Sequence, residues 1–287
     1  MTVDRASTLI EALATYYPDS SRTTIRQMLQ MGRVRVNAEV EKNAKCELAL
    51  GDIVEVGQKE MQATLPAGLS LLHEDDDVIV VIKAAGLLTV ATEREKETTA
   101  QSFLNQYLEI KRQGRIHVVH RLDRETSGVL VFAKSFSARE ALKEQFAVHS
   151  VERLYLAVIE GAIQPPSGTI RTWLRERRDL RMESVDAHPD AKLAVTHYLT
   201  VDRSDGFSLL EVTLETGRKN QIRTHLSEKG HPVAGDRMYG SETNPLGRLG
   251  LHAKLLGFNH PASGEKLVFT APVPTVFREL FRKGPKG

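Results

Sequence analysis

Two apolar runs, Ile116-His117-Val118-Val119 and Val129-Leu130-Val131-Phe132, enclose the segment His120-Arg121-Leu122-Asp123-Arg124-Glu125-Thr126-Ser127-Gly128. This sandwich constrains the fold more than any other stretch of the chain. Charged groups between two buried strands are costly unless they are paired or do chemistry. The polar knot is therefore either an ionic turn at a sheet edge or a functional site, and the residues alone leave both readings open.

The rest of the chain supplies the sheet around it. Val78-Ile79-Val80-Val81-Ile82 is a continuous β-branched run, the pattern of a strand covered on both faces. Leu154 to Ile159 and Leu209 to Leu214 read as further strands, and Gln101 to Leu108 and Ser137 to Phe146 carry helical periodicity. Strands and helices mix without a regular βαβ rhythm, which predicts an α+β fold with a largely antiparallel sheet. A smaller block precedes it. Leu9, Ile10, Leu13 and Tyr16 lie at helical spacing, and Tyr17-Pro18-Asp19-Ser20-Ser21 breaks the pattern. Ser21 is a candidate N-cap for a second helix with Ile25, Met28 and Leu29 on its apolar face and Gly32 as its stop. Val34 and Val36 alternate with Arg33 and Arg35 in a short strand. The predicted organisation is a small α/β block over 1–57, a linker over 58–68 and a large domain over 69–287.

Composition narrows the setting. No apolar stretch approaches the roughly 20 residues that cross a bilayer. Met1-Thr2-Val3-Asp4-Arg5 lacks a leader pattern, and the single cysteine, Cys46, fits a reducing compartment. The expectation is a cytoplasmic monomer without a membrane partner. The formal net charge is only +2, but the basic residues are clustered. Arg22, Arg26, Arg33 and Arg35 occupy an acid-free stretch, and Arg171, Arg175, Arg177, Arg178 and Arg181 fall close together. Such patches are either solvated faces or a local surface for a polyanion. The pairs His117–His120 and His225–His231 raise the question of metal, but the lone distant cysteine argues against a metal site.

The knot itself carries a resemblance. His-Arg-Leu-Asp-x-x-Thr-Ser-Gly, present without change at His120 to Gly128, is similar to the signature of the RluA-type RNA pseudouridine synthases. Other segments follow in the same order. They are Lys83-Ala84-Ala85-Gly86 (Ala84 where the family has Pro), Tyr155-Leu156-Ala157-Val158, Gly217 to His225 (Asn220 where the family has His), Gly230 to Asp236, and Leu251-His252-Ala253. The first block resembles an S4 RNA-binding domain through Ser21 to Arg26, Gly32 to Asn37 and Gly51 to Val54, with Asn37-Ala38 in place of the usual Asn-Gly turn. Ala tolerates positive φ less well, so a different turn is expected there.

The resemblance implies a catalytic domain of the pseudouridine synthase type behind an S4-like module. It implies detachment of uracil from C1′ of a uridine, rotation, and reattachment through C5, without metal or other cofactor. Asp123 takes the position of the essential aspartate, Arg223 that of its ion-pair partner, and Tyr155 that of the tyrosine stacking on the target base. An ionised carboxylate is able to serve as nucleophile or base, and a nearby cation is expected to hold its pKa down. A paired uridine must leave its helix first, and Arg121 is the candidate brace for the emptied stack. Arg218, Lys219 and the Arg171–Arg181 cluster are candidate phosphate contacts in the large domain. Arg22, Arg26, Arg33 and Arg35 have that role in the small one. The implied partner is RNA, ribosomal RNA of the large subunit before transfer RNA. The alternatives are a catalytically inactive S4-type RNA-binding protein and a hydrolase. The hydrolase lacks a Gly-x-Ser-x-Gly elbow and a Ser–His–Asp order, and a glycosidase needs a second placed carboxylate, for which only Glu125 offers itself.

Overall fold

A computed structural model describes all residues except Met31, 58–63, Arg94, Lys96 and 283–287. The predicted linker therefore lies largely outside the described residues. Contacts divide the chain into two units, Met1–Gln62 and Ala63–Gly287. Among the described residues no helix is long and apolar enough to cross a membrane.

The first unit contains β1 (Ser7–Thr8), α1 (Leu9–Tyr16), α2 (Arg22–Gln30), β2 (Val34–Val36), β3 (Glu39–Val40), β4 (Glu47–Leu48) and β5 (Val54–Val56). Strands β3-β2-β5 form one small sheet, and β1 pairs with β4. The two helices bury Leu9, Leu13, Ile25 and Leu29 against Val34, Leu48 and Val54. Each fully buried aliphatic side chain contributes about 1.5–3 kcal/mol. The Ser21 hydroxyl accepts from the Thr24 amide at 3.1 Å and caps α2. The Asn37-Ala38 turn corrects an expectation, for both residues take positive φ, 51° and 70°. The Asn37 side chain donates to Asp52 and accepts from the Ile53 amide, each at 2.9 Å. These bonds support the left-handed turn and offset the strain at Ala38.

The second unit contains β6 (Leu69–Glu74), β7 (Val78–Lys83), α3 (Ala100–Lys111), β8 (His117–Val118), β9 (Ser127–Ala133) and α4 (Phe136–Ala147). It continues with β10 (Glu152–Glu160), β11 (Ser167–Glu176), β12 (Met182–Val185), β13 (Lys192–Ser204), β14 (Phe207–Leu214) and α5 (Gln221–Glu228). A 3-10 turn, Arg237–Tyr239, then leads to β15 (Leu251–Asn259), β16 (Lys266–Thr270) and α6 (Thr275–Arg282). The fold is mixed α and β around one eleven-stranded, mostly antiparallel sheet. Its strand order is β12-β11-β13-β14-β10-β15-β9-β7-β6, with β16 on β15 and β8 on β9.

The apolar runs are explained by cover on both faces. On one face Leu104 and Leu108 of α3 pack on Ile79, Val81, Leu130 and Phe132. On the other, Ala138 and Leu142 of α4 pack on Val78, Val80, Val129 and Val131. Strands β9 and β15 run parallel, with Ser127 opposite His252 and Gly128 opposite Ala253. Gly128 has φ +124°, and a β-carbon there would lie 2.1 Å from the Ala253 carbonyl oxygen. Only glycine fits this seam. Gly128→Ala is expected to destabilise the protein by more than about 3 kcal/mol. A denaturant midpoint equal to wild type would refute this account of the seam.

Candidate active site

Strand pairing lines up one row across the middle of the sheet. Val212 of β14 faces Tyr155 of β10, Tyr155 faces Ala253 of β15, and Ala253 faces Gly128 of β9. The polar loop carrying Asp123 enters β9 at this row. α5 follows β14 after a short loop and brings in Arg223. The residues meet at a cavity of about 670 Å³, lined by Asp123, Tyr155, Arg223, Arg121, Arg153 and Arg218 among others. The cavity is of a size that takes a nucleoside.

The Asp123 loop is held from below. The Lys83 ammonium is fully buried and donates to the carbonyls of Ala84 at 2.9 Å, Leu87 at 2.7 Å and Arg124 at 3.0 Å. Burial pushes its pKa down to about 8, but three acceptor-only oxygens favour the protonated form. The buried Thr89 hydroxyl donates to the Leu122 carbonyl at 2.7 Å and accepts from the Leu122 amide at 3.2 Å. The Gly86 amide donates to the Arg124 carbonyl at 2.9 Å, and the Thr126 amide closes the turn onto the Asp123 carbonyl at 3.1 Å. Beneath the loop, Ser127 Oγ accepts from Arg248 and shares a hydrogen bond with His252 Nδ1, both at 2.7 Å. The knot is costly in isolation, and these bonds are how the fold accommodates it. The substitution at Ala84 fits the same frame: its amide donates to the Gly68 carbonyl at 2.8 Å, a bond that proline could not make.

Arg223 is the electrostatic centre. Its Nε and Nη2 donate to Asp236 Oδ2 at 2.6 Å and Oδ1 at 2.8 Å, a two-bond fork. Its Nη1 donates to Asn220 Oδ1 at 2.8 Å and stands 3.6 Å from Asp123 Oδ2. Its guanidinium lies 4.9 Å above the Tyr239 ring centroid. Burial works to lower the Arg223 pKa, but hydrogen bonds and charge from Asp236, then the charge of Asp123, raise it. The sequence motif pairs Arg223 with Asp123. The pair is present but looser, and the two-bond partner is Asp236. The Asp236 side chain is 2% exposed and that of Asp123 is 26% exposed. The more buried carboxylate thus takes the full pair, and the more open one is left to face the cavity.

Tyr155 is half-buried and packs against two of the hydrophobic clusters, one on each side of the site. Burial raises its pKa, Arg153 opposes the rise, and the charge of Asp123 adds to it. Two site residues, Arg153 and Asp236, are absent from the sequence-based set. Arg153 donates to the carbonyls of Leu214 at 3.2 Å and Glu215 at 2.9 Å and lies 5.6 Å over the Phe146 ring. It adds a cation to the cavity wall. Its position two residues before Tyr155, on the same strand face, is the available signal. Asp236 gives none by spacing, because a loop brings it to Arg223.

Arg121 is exposed at the cavity, and Arg218 also lines it, with Nε donating to the Leu193 carbonyl at 3.0 Å. Lys219 instead pairs with Glu176. Asn220 occupies the left-handed cap of α5 at φ 51°, a conformation that Asn tolerates. In the first unit, Arg22 and Arg26 share one helix face and line a cleft with Arg5. Arg33 donates to the Gly57 carbonyl at 3.0 Å, and Arg35 is exposed on β2. Asp75, Asp77 and His260 converge closely enough to raise the question of metal. However, His260 Nδ1 accepts from the amides of Ala262 at 3.4 Å and Ser263 at 3.1 Å. The ring proton is then on Nε2, which stands 3.3 Å from Asp75 Oδ2 and so presents a hydrogen rather than a lone pair to the carboxylates.

Residues 77–228 match the family described as RNA pseudouridylate synthase, and the chain belongs to that family. It is 37% identical over 284 residues to an uncharacterized RNA pseudouridine synthase of Bacillus subtilis, covering 93% of this chain and 91% of that protein. It is 36% identical over 280 residues to the ribosomal large subunit pseudouridine synthase D of Neisseria meningitidis, covering 91% and 74%. Among solved structures, it is similar to human RNA pseudouridylate synthase domain containing 4, with TM-score 0.62, 26% identity and coverage of 74% and 92%.

The electrostatics can be tested by substitution and by pH. Asp236→Asn leaves the Arg223 fork half unmatched and is expected to cost about 3 kcal/mol of stability, read from denaturant midpoints, and to lower turnover as well. Acid should also weaken the fold. Burial first, and then nearby cations, depress His120 to about 3 and His225 to about 4. At His252 burial, and then the Arg248 charge, push the value down to about 4. These side chains are neutral when folded, so the unfolded chain takes up protons below about pH 6.5. Their contribution is complete above that pH and falls away down to pH 4 and then 3. Urea titrations should show stability declining over this range, with a shallower decline for His225→Gln.

Proposed function

We propose that this chain isomerises uridines to pseudouridine in large-subunit ribosomal RNA, with Asp123, Tyr155 and Arg223 as its catalytic group. The observation that carries the reading is one carboxylate, Asp123, open to a nucleoside-sized cavity and 3.6 Å from an arginine already fixed by a second carboxylate. Arg223 is occupied enough by Asp236 to stay in place and free enough on Nη1 to stabilise Asp123 as its charge is used. The reaction breaks the N1–C1′ bond and forms a C5–C1′ bond, and the hydrogen lost from C5 is balanced by one gained at N1. No oxidant or reductant is required. Tyr155 offers a flat wall for uracil during its rotation, and Arg121, exposed at the cavity, braces the stack that the flipped base has left. Ribosomal RNA is favoured by the named activity of the Neisseria relative.

The first unit acts as an S4-like RNA grip. Its support is the order of helices and strands together with Arg22 and Arg26 at one cleft, and Arg33 and Arg35 on the following strand. Arg218 in the cavity wall takes a phosphate near the target. The chain works as a cytoplasmic monomer. An inactive RNA-binding protein is disfavoured because the carboxylate, its arginine and the tyrosine all line one cavity.

Wild type incubated with ribosomal RNA lacking modifications should form new pseudouridine, and Asp123→Asn should form none, as read by chemical mapping. A mutant as active as wild type defeats the catalytic assignment. For the RNA grip, Arg22→Ala/Arg26→Ala should lower the slope of log affinity against log salt by about one for each phosphate no longer neutralised, measured by filter binding. An unchanged slope removes these arginines from the interface.

A further inference from the structure

Tyr239 does more than lie under Arg223. It ends the 3-10 turn Arg237–Tyr239 and is 7% exposed. Its hydroxyl oxygen accepts two hydrogen bonds from different parts of the fold. One comes from the Met182 amide at 2.9 Å, at the first residue of β12. The other comes from Asn220 Nδ2 at 3.1 Å, and the same Asn220 side chain accepts from Arg223 Nη1 at 2.8 Å. One phenol oxygen therefore stands between an edge strand and the arginine that faces Asp123.

The edge strand is the return arm of a hairpin rich in arginine. β11 and β12 are joined by the turn that carries Arg177, Arg178 and Arg181, and β12 is the terminal strand on that side of the sheet. A second contact runs the same way. Arg181 Nη1 donates to the Met238 carbonyl at 3.3 Å, and the Met238 sulfur lies 3.9 Å from Arg223 Nη2. The hairpin thus touches the Met238–Tyr239 turn twice, and that turn touches Arg223 through the sulfur and the ring. An edge strand is bonded to the sheet on one side only, so a polyanion drawn to its arginines is able to shift it.

We propose that Tyr239 is a positioning residue that ties the seating of the arginine hairpin on structured RNA to the placement of Arg223 beside Asp123. The inference rests on the functional reading above and adds a coupling to it. It also gives Asn220 a role that this chain's own residues define, as the link between phenol and guanidinium. Tyr239→Phe separates coupling from packing. It keeps the ring beneath the guanidinium and leaves the Met182 and Asn220 donors unmatched.

The test is a double-mutant cycle on a ribosomal RNA transcript, with kcat and KM measured separately. Arg178→Ala, an exposed change at the hairpin turn, should raise KM and lower kcat in the wild-type background. Tyr239→Phe should lower kcat by about tenfold, and adding Arg178→Ala to it should then move KM alone. Melting curves identify any loss that comes from unfolding. If Tyr239→Phe does not fold, Asn220→Ala breaks the same link from its other end and should show the same loss of coupling. The proposal is overturned by wild-type kcat in Tyr239→Phe, or by a kcat effect of Arg178→Ala that survives in the folded variant. Wild type that forms no pseudouridine on the transcript defeats the functional reading instead, so the two failures are distinct.

Discussion

The site depends on the fork between Arg223 and Asp236. A guanidinium with one free edge is an adaptable cation, and it reaches toward whichever carboxylate is nearest. Here one edge is already committed to a carboxylate buried at 2% exposure, and Asn220 takes part of what remains. The group is thus fixed before any substrate arrives, and the free direction points at Asp123. A buried pair of this kind contributes little net stability. What it supplies is orientation, and orientation is what a single working carboxylate needs from its surroundings.

A second constraint holds the other partner. The Asp123 loop makes no regular secondary structure, but its backbone is tied by the buried Lys83 and Thr89 side chains and by the Gly86 amide. These groups come from β7 and the segment after it, on the far side of β9 from Tyr155. The carboxylate is thus supported from one part of the sheet and its arginine from another, and the row Val212–Tyr155–Ala253–Gly128 joins them.

Much of this was legible in the sequence where burial was uniform. Strands β7 and β9 are covered by helices on both faces, so their apolar runs could hardly be read as anything else. The polar knot between such runs announced itself by its cost. Arg223 and Tyr155 were singled out by their motifs, and both line the same cavity as Asp123. The long β13 and the β11–β12 hairpin escaped as strands because their burial alternates, and their arginines drew attention as charge rather than as strand. Asp236 escaped for a different reason: its partner is thirteen residues earlier, across a helix and a turn, and no periodicity reports a loop that folds back. Lys83 entered only as the first residue of a strand-turn resemblance, because nothing local shows that three carbonyls converge on its ammonium. The turn at Ala38 was misjudged because its support, Asp52 and Ile53, lies in a separate strand connection.

The parallel seam between β9 and β15 has a consequence for how the enzyme comes into being. Ser127 and His252 are neighbours in space but are separated by 125 positions along the chain, and β15 is inserted between β9 and β10. During synthesis, Asp123, Tyr155 and Arg223 all leave the ribosome before the strand that brings their supports together exists. Long-range closure of this kind is slow compared with local folding. A nascent chain therefore carries Asp123, Tyr155 and Arg223 and still has no closed cavity, which forms only when β15, near the end of the polypeptide, has been threaded into the middle of the sheet.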